Sequence, residues 1–255
     1  MPSVFGALLR NEMRGFFRNK IAAFWSFIFP LFLFAVLYLA YGGDSLAPAQ
    51  RAALSYGQYL LGGVLVMMMM STGIMSTATV LAVMREHNVF RVYGCLPVPR
   101  FLFLLAIIAV RLALIVTFSS AMLLAGKYLF GIGLDLSAPR ILWWIVLIVC
   151  GGTLFLSLGV LLGARAATVA TATVLTNAVY FPLLFLGDLT FPLKALPEAA
   201  QHALALVPVN QLAAGLRAVL FQVPDAGAMA RLVAVLLGGS MLLVAVAART
   251  FRWGR

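Results

Sequence analysis

The chain has 255 residues, of which 64% are hydrophobic and only 10% are charged. Soluble domains are usually about 45–50% apolar and about 25% charged, so this composition excludes a soluble globular protein and a disordered one and predicts an integral membrane protein. The net charge of +11 does not indicate nucleic-acid binding, because the basic residues lie in short clusters between apolar runs, a pattern typical of membrane topology.

Residues 4–20 carry apolar side chains at three- and four-residue steps, with basic side chains largely on the other side. This pattern predicts an amphipathic helix in the membrane interface, with its cations toward anionic headgroups. The alternative is a basic run that only sets topology. The residues assigned to the interfacial helix are Phe5, Leu9, Arg10, Arg14, Phe16, Phe17 and Arg18.

Six charge-poor runs are long enough, or nearly so, to span a membrane, which takes about 20 apolar residues. Backbone polar groups in lipid must be satisfied within each segment, so these runs are predicted to be helices. The predicted spans are residues 21–43, 56–84, 101–126, 141–164, 166–187 and 232–248. The sequence therefore predicts an all-α polytopic membrane protein with six transmembrane helices in one domain, residues 1–255.

The connection between the second and third spans, residues 85–99, mixes charged and aromatic side chains. Glu86, Phe90, Arg91 and Tyr93 give it a composition that suits docking against a partner. A solvated loop has the same composition, so the residues alone leave both interpretations open.

Two polar features lie inside the predicted spans. Arg111 is the only ionisable residue deep in a span, and no Asp or Glu lies inside a span to pair with it. An intramembrane charge is a candidate for the transport pathway, whereas snorkelling toward the headgroups or structural pairing would be the alternative. Thr173 and Asn177 belong to a polar side of the fifth span, which would face either a translocation path or a neighbouring helix.

A seventh apolar stretch, residues 189–216, contains prolines and polar groups. Prolines interrupt helices and polar groups are costly in lipid, so we predict a helical hairpin that dips into the membrane from one side. A surface loop with one amphipathic helix is the alternative. The re-entrant hairpin is assigned to residues 189–208, and its gate residues are Phe191, Pro192, Pro197 and Pro208.

The basic residues also predict the orientation of the chain. With the N-terminus inside, eleven Lys and Arg fall in inner segments and six in outer segments, which favours two cytoplasmic termini. The two histidines, His87 and His202, lie in loops on opposite sides, and the sequence contains neither a catalytic pair nor a phosphate-binding loop. We therefore expect a transport subunit that is not an enzyme and binds no cofactor itself.

Several segments together resemble the permease subunit of an ABC-2 type transporter, also called type V. They are the basic N-terminal helix, REHN at 85–88, LPVPR at 96–100, FPLLFLGD at 181–188 and VPVN at 207–210. The resemblance covers nearly the whole chain. It implies a dimer, with a homodimer favoured, and two separate ATP-binding subunits that hold ATP and Mg²⁺.

The resemblance also implies roles for particular segments. Residues 85–99 would couple the permease to the ATP-binding subunits, and residues 189–208 would form an outer gate. The coupling residues are Arg85, Glu86, His87, Phe90, Arg91 and Tyr93. The expected function is export across the bacterial inner membrane, with a hydrophobic drug or lipid-like substrate favoured and a polysaccharide possible. The alternative is a secondary transporter or channel that does not use ATP.

Overall fold

A computed structural model describes residues 2–41, 54–89, 100–189 and 198–250, and this part of the chain is helical with no strand. It confirms the predicted all-α class. The helices in chain order are α1 (Pro2–Arg18), α2 (Lys20–Ala23), α3 (Phe29–Tyr41), α4 (Tyr56–Met70), α5 (Thr77–Glu86), α6 (Arg100–Tyr128), α7 (Ala138–Arg165), α8 (Val169–Phe185), α9 (Glu198–Ala205), α10 (Pro208–Phe221) and α11 (Ala226–Thr250).

Five helices in the described residues are long and apolar enough to cross a membrane, so the chain is a multi-pass membrane protein. They are Phe24–Tyr41, Tyr56–Glu86, Leu105–Tyr128, Ala138–Arg165 and Ala226–Arg249. The remaining predicted span, residues 166–187, corresponds to α8, a shorter apolar helix of 17 residues. Spanning helices range from about 17 to 25 residues, so the count of six stays a prediction.

The helix formed by α4 and α5 lies at the centre of the bundle. Residues 60–70 are buried without interruption, because neighbouring helices pack against this apolar run on every side. Four consecutive methionines, Met67–Met70, point in all directions around α4, and each is at most 1% exposed. Their flexible side chains fill the space between α4 and its neighbours. The helices α3, α6, α7 and α10 surround this core, and α11 packs along α7.

Two π-helical turns interrupt the first and second spans. Phe24–Ile28 joins α2 to α3, and Ser71–Ser76 joins α4 to α5. The two turns are in contact, since the Ser71 hydroxyl donates a hydrogen bond of 3.0 Å to the carbonyl oxygen of Trp25. A π turn opens the regular backbone pairing, which leaves carbonyl groups for such side-chain partners.

Glycine allows one very close helix crossing. A Cβ atom at Gly159 of α7 would overlap the carbonyl oxygen of Gly73 in the second π-helical turn. Gly159 therefore lets the backbones of α7 and this turn approach each other, as small residues do where membrane helices meet.

The first helix packs against α6. Leu8, Glu12 and Phe16 recur every four residues of α1 and form its buried face, whereas Arg10 and Arg14 are exposed. Phe5 lies in the same helix, Leu9 is half-buried, and Phe17 and Arg18 are exposed. The helix runs from residue 2 to 18 rather than from 4 to 20. Its place in the membrane interface stays a prediction.

The predicted hairpin falls only partly within the described residues. Phe191, Pro192 and Pro197 lie outside them, whereas Pro208 is the first residue of α10, where a missing N–H costs nothing. The helix α10 begins at residue 208, the predicted end of the hairpin, and continues to Phe221, and it packs against α4, α7 and α11. Whether residues 189–208 re-enter the membrane stays a prediction.

Candidate functional site

Four side chains form a buried polar cluster where α4, the end of α8 and α10 meet: Tyr59, Asp188, Asn210 and Arg217. Arg217 is only 4% exposed. Its Nη1 lies 2.6 Å from Asp188 Oδ2, its Nη2 donates to the Asp188 carbonyl, and its Nε donates to the Tyr59 carbonyl at 2.9 Å. All three guanidinium nitrogens are therefore hydrogen-bonded, as a buried cation requires.

Tyr59 completes this arrangement from α4. Its hydroxyl donates to Asp188 Oδ1 at 2.5 Å, and its ring lies beneath the Arg217 guanidinium carbon at 3.6 Å from the ring centroid. A desolvated cation over an aromatic face adds roughly 2 kcal/mol of attraction. Gly62 leaves room for the arginine, since a Cβ atom there would be 2.6 Å from Arg217 Cγ.

Asn210 holds the backbone on either side of residues 190–197. Its Oδ1 accepts from the Asp188 N–H at 2.6 Å, and its Nδ2 donates to the carbonyl of Leu204 at 2.8 Å. One amide thus joins the end of α8, the end of α9 and the start of α10. The amide therefore joins Asp188, which precedes residues 190–197, to α9 and α10, which follow them.

None of these four residues was predicted to belong to a site. Asp188 and Asn210 lie inside segments that carry the family resemblance, at 181–188 and 207–210. The available signal was a lone arginine in an otherwise apolar helix, together with a lone aspartate that follows an apolar run.

A second buried charge, Arg111, lies between α6 and α1. It is 2% exposed, and its guanidinium carbon is 5.0 Å from the centroid of the Phe16 ring. Glu12 of α1, itself 8% exposed, is near enough for its charge to act on Arg111, whose Nε and Nη1 have no hydrogen-bond partner among the described residues. Burial raises the pKa of the Glu12 carboxyl above its usual range, and the Arg111 charge opposes that shift. The amphipathic helix therefore brings a carboxyl group near this arginine, whereas the predicted spans contain none.

Three of the six predicted coupling residues belong to the part of the chain that the structure describes. Arg85 and Glu86 form the last turn of α5, His87 is exposed, and Asn88 ends the helix with a left-handed φ of 54°. Phe90, Arg91 and Tyr93 lie outside the described residues.

Arg85 and Glu86 bind the turn between α7 and α8, and we call these contacts the α5 link. Arg85 Nη1 donates to the carbonyls of Gly163, at 3.0 Å, and Ala166. Glu86 Oε2 accepts from the Val169 N–H at 3.0 Å. Helix C-termini leave free carbonyls and helix N-termini leave free N–H groups, so a cation and an anion satisfy the two ends respectively.

The polar side predicted for the fifth span is present on α8. Thr173 is exposed, with its hydroxyl bonded to the Val169 carbonyl at 2.9 Å, and Asn177 is half-buried. Asn177 Oδ1 has no hydrogen-bond partner among the described residues. Val174 on the same helix is 67% exposed. Thr173 and Asn177 thus lie on α8, whereas Arg111 lies against α1.

These features define a helical multi-pass membrane protein with buried charge clusters tying its helices together. A sequence model of the ABC-2 type transporter family matches residues 3–221, from α1 to the last residue of α10. The chain belongs to the ABC-2 type transporter family. It is therefore the permease component of an ABC transporter, a subunit that associates with ATP-binding subunits and carries no ATP-binding motif of its own. A search of curated proteins gave no match.

Proposed function

We propose that this chain is the membrane subunit of an ATP-driven exporter, coupled to two ATP-binding subunits through residues 85–99. The nucleotide and Mg²⁺ belong to those subunits. The α5 link is the observation that supports this role. Because Arg85 and Glu86 hydrogen-bond the turn between α7 and α8, a displacement of the loop after α5 would move α5, α7 and α8 together.

Glu86→Ala should impair export without lowering the amount of inserted protein. The carboxylate is exposed in this chain, so its removal should change the insertion and the abundance of the protein little. If a partner subunit buries it, loss of the charged contact costs roughly 2–5 kcal/mol, which is more than a tenfold effect. Substrate-stimulated ATPase of the reconstituted complex should fall relative to basal activity.

Arg165→Ala is the matched control for Glu86→Ala. Arg165 is an exposed charge at the start of the turn between α7 and α8, which Glu86 contacts. The Arg165 variant should keep wild-type export. Export at the wild-type rate by the Glu86 variant, with unchanged stimulation, would leave Glu86 with its contact to the Val169 N–H and no part in coupling. Co-purification of the complex tests the wider proposal, since an ATP-independent transporter or channel would bring no ATP-binding subunit with it.

We place the partner permease, in a homodimer, against the outward face of α8. Thr173 is an exposed hydroxyl on this helix, and Asn177 has an unpartnered oxygen among the described residues. Polar groups are costly against lipid but common where helices face one another or line a path. On this proposal Thr173 and Asn177 line the pathway between two copies, and Arg111 fastens α1 to α6.

Val174→Cys in a background free of native cysteine should form a crosslinked dimer in the membrane. The residue is 67% exposed on α8. Leu242→Cys provides a matched control, because Leu242 is 66% exposed on α11, a helix that this proposal places away from the partner permease. Crosslinking is measured as a doubled mass on a denaturing gel. Equal crosslinking at both positions would remove the support for an α8 interface.

Both termini are proposed to be cytoplasmic, in the bacterial inner membrane. The eleven-to-six distribution of basic residues supports this orientation. A cysteine placed at Leu129, which is exposed between α6 and α7, should react with an impermeant reagent added to intact cells. A cysteine placed at Gly6 of α1 should not react, and labelling there would reverse the topology.

The substrate class proposed is a hydrophobic drug or a lipid-like molecule, ahead of a polysaccharide. This preference follows the family, since the sequence carries no signal for one substrate. Stimulation of ATPase by candidate compounds in the reconstituted complex would identify it, and stimulation by polysaccharide alone would reverse the preference.

A further inference from the structure

The exposed side of α1 and the start of α2 carry a row of positive charges, separate from the polar cluster and the α5 link. We call it the basic row, and its members are Arg10, Arg14, Arg18 and Lys20, all exposed. No salt bridge within the described residues involves any of them. Glu12 is the one acidic residue in the described segment 2–41, and it belongs to the buried face of α1. The basic row therefore meets its surroundings as unbalanced positive charge.

The apolar face of α1 is covered by the chain itself. Leu8 packs with Ala106 and Ile107 of α6, and the Phe16 ring lies 5.0 Å from the guanidinium carbon of Arg111. An amphipathic helix usually binds a membrane surface by burying its apolar face in it. Since that face of α1 is occupied, its contact with a membrane depends on the basic row. Cations of this kind are attracted to a membrane whose lipids are anionic.

The basic row leads to an aromatic group where the first span begins. Trp25 is 47% exposed, and its ring centroid lies 5.7 Å from that of Phe24 and 4.7 Å from that of Phe29. The Trp25 carbonyl also accepts the hydrogen bond from Ser71, which joins this segment to the centre of the bundle. Tryptophan is enriched where lipid headgroups meet acyl chains. Trp25 therefore indicates the level of that boundary beside the basic row.

An apolar strip continues from this level along the span. It consists of Phe24, Ile28 and Phe32, which recur every four residues and are 41%, 51% and 62% exposed. The surface thus presents positive charge on the headgroup side and apolar side chains on the acyl-chain side. A phospholipid carries its phosphate and its acyl chains in the same order.

We propose that the basic row binds the phosphate groups of anionic phospholipids of the surrounding membrane, with an acyl chain along the apolar strip. A basic residue near an anionic membrane surface strengthens binding by about fivefold. The selectivity for anionic lipid follows from the covered face of α1, because a helix held by apolar burial would accept neutral lipid as well. The proposal does not depend on export or on ATP, since binding is measured on the permease alone.

The test is quenching of tryptophan fluorescence in the purified permease, reconstituted in phosphatidylcholine vesicles. A small and equal fraction of the lipid is either phosphatidylglycerol or phosphatidylcholine with brominated acyl chains, which quench a tryptophan on contact. The quenching that is lost in Trp25→Phe belongs to Trp25. Brominated phosphatidylglycerol should quench Trp25 more strongly than brominated phosphatidylcholine. Excess plain phosphatidylglycerol should relieve this quenching, whereas excess plain phosphatidylcholine should not.

Two arginine variants assign the preference to the basic row. Arg18→Gln should lower the preference of Trp25 for the anionic lipid by about fivefold, and added salt should lower it in the unaltered protein by screening. Arg165→Gln is the matched control, because Arg165 is an exposed arginine outside the basic row, and it should keep the full preference. An equal loss in the two variants would overturn the proposal. Equal quenching of Trp25 by the two brominated lipids would also overturn it and would leave the basic row to an acidic protein surface.

Discussion

Replacing Arg217 with methionine should destabilise the permease by about 3–5 kcal/mol, because it removes one partner of a buried ion pair and leaves the other. Methionine keeps much of the apolar stem that packs beside Gly62, so the loss reports mainly on the charge. Asp188 would keep the Tyr59 hydroxyl but lose its cation. The thermal unfolding midpoint of the purified protein in detergent measures the effect.

Arg231→Met is the control, since Arg231 is an exposed arginine on α11 and should change stability little. A double variant, Arg217→Met with Asp188→Leu, should recover part of the loss, because replacing both members of a buried pair is far less costly than removing one. Equal midpoints for the Arg217 and Arg231 single variants would contradict the role assigned to the polar cluster.

Gly159→Ala should also destabilise the protein, by about 1–3 kcal/mol or more, although it adds only one methyl group. The added carbon would overlap the backbone carbonyl of Gly73, and backbone cannot rotate away as a side chain can. The helix α7 would have to move from the second π-helical turn, which loosens the centre of the bundle. The same thermal midpoint in detergent measures this loss.

Gly238→Ala separates this contact from the general effect of alanine in a helix. Gly238 lies in α11, and a Cβ atom there meets nothing within 4 Å. Alanine has a higher helix propensity than glycine, so this variant should be neutral or slightly stabilised. Similar losses at both glycines would show that the crossing is looser than described.

The sequence predicted most of the helical architecture because the physics of a lipid solvent acts on local composition. Runs of apolar residues in lipid must be helical. The burial of the methionine run of α4 depends on the helices around it, because lipid would accept the same apolar side chains. The exact ends of the helices were not predicted, since α1 begins and ends two residues earlier than the pattern indicated.

The charge pairs could not be predicted, because pairing depends on which helices become neighbours. Periodicity identified an apolar face on α1 but not what covers it, so Glu12 was not recognised as the carboxyl group near Arg111. Arg85 and Glu86 were predicted to face another subunit. They also bind the α7–α8 turn of their own chain, a contact that no local pattern encodes.

The π-helical turn Ser71–Ser76 fixes the angular phase between the two ends of one long helix. An α-helix advances about 100° per residue, so the extra residue of a π turn rotates α4 relative to α5 by about that angle. With this rotation between α4 and α5, Tyr59 contacts Arg217 at one end of the long helix. At the other end, Arg85 and Glu86 contact the α7–α8 turn. Deleting one residue of this turn would satisfy the backbone equally well but would leave only one end of the helix facing its partners.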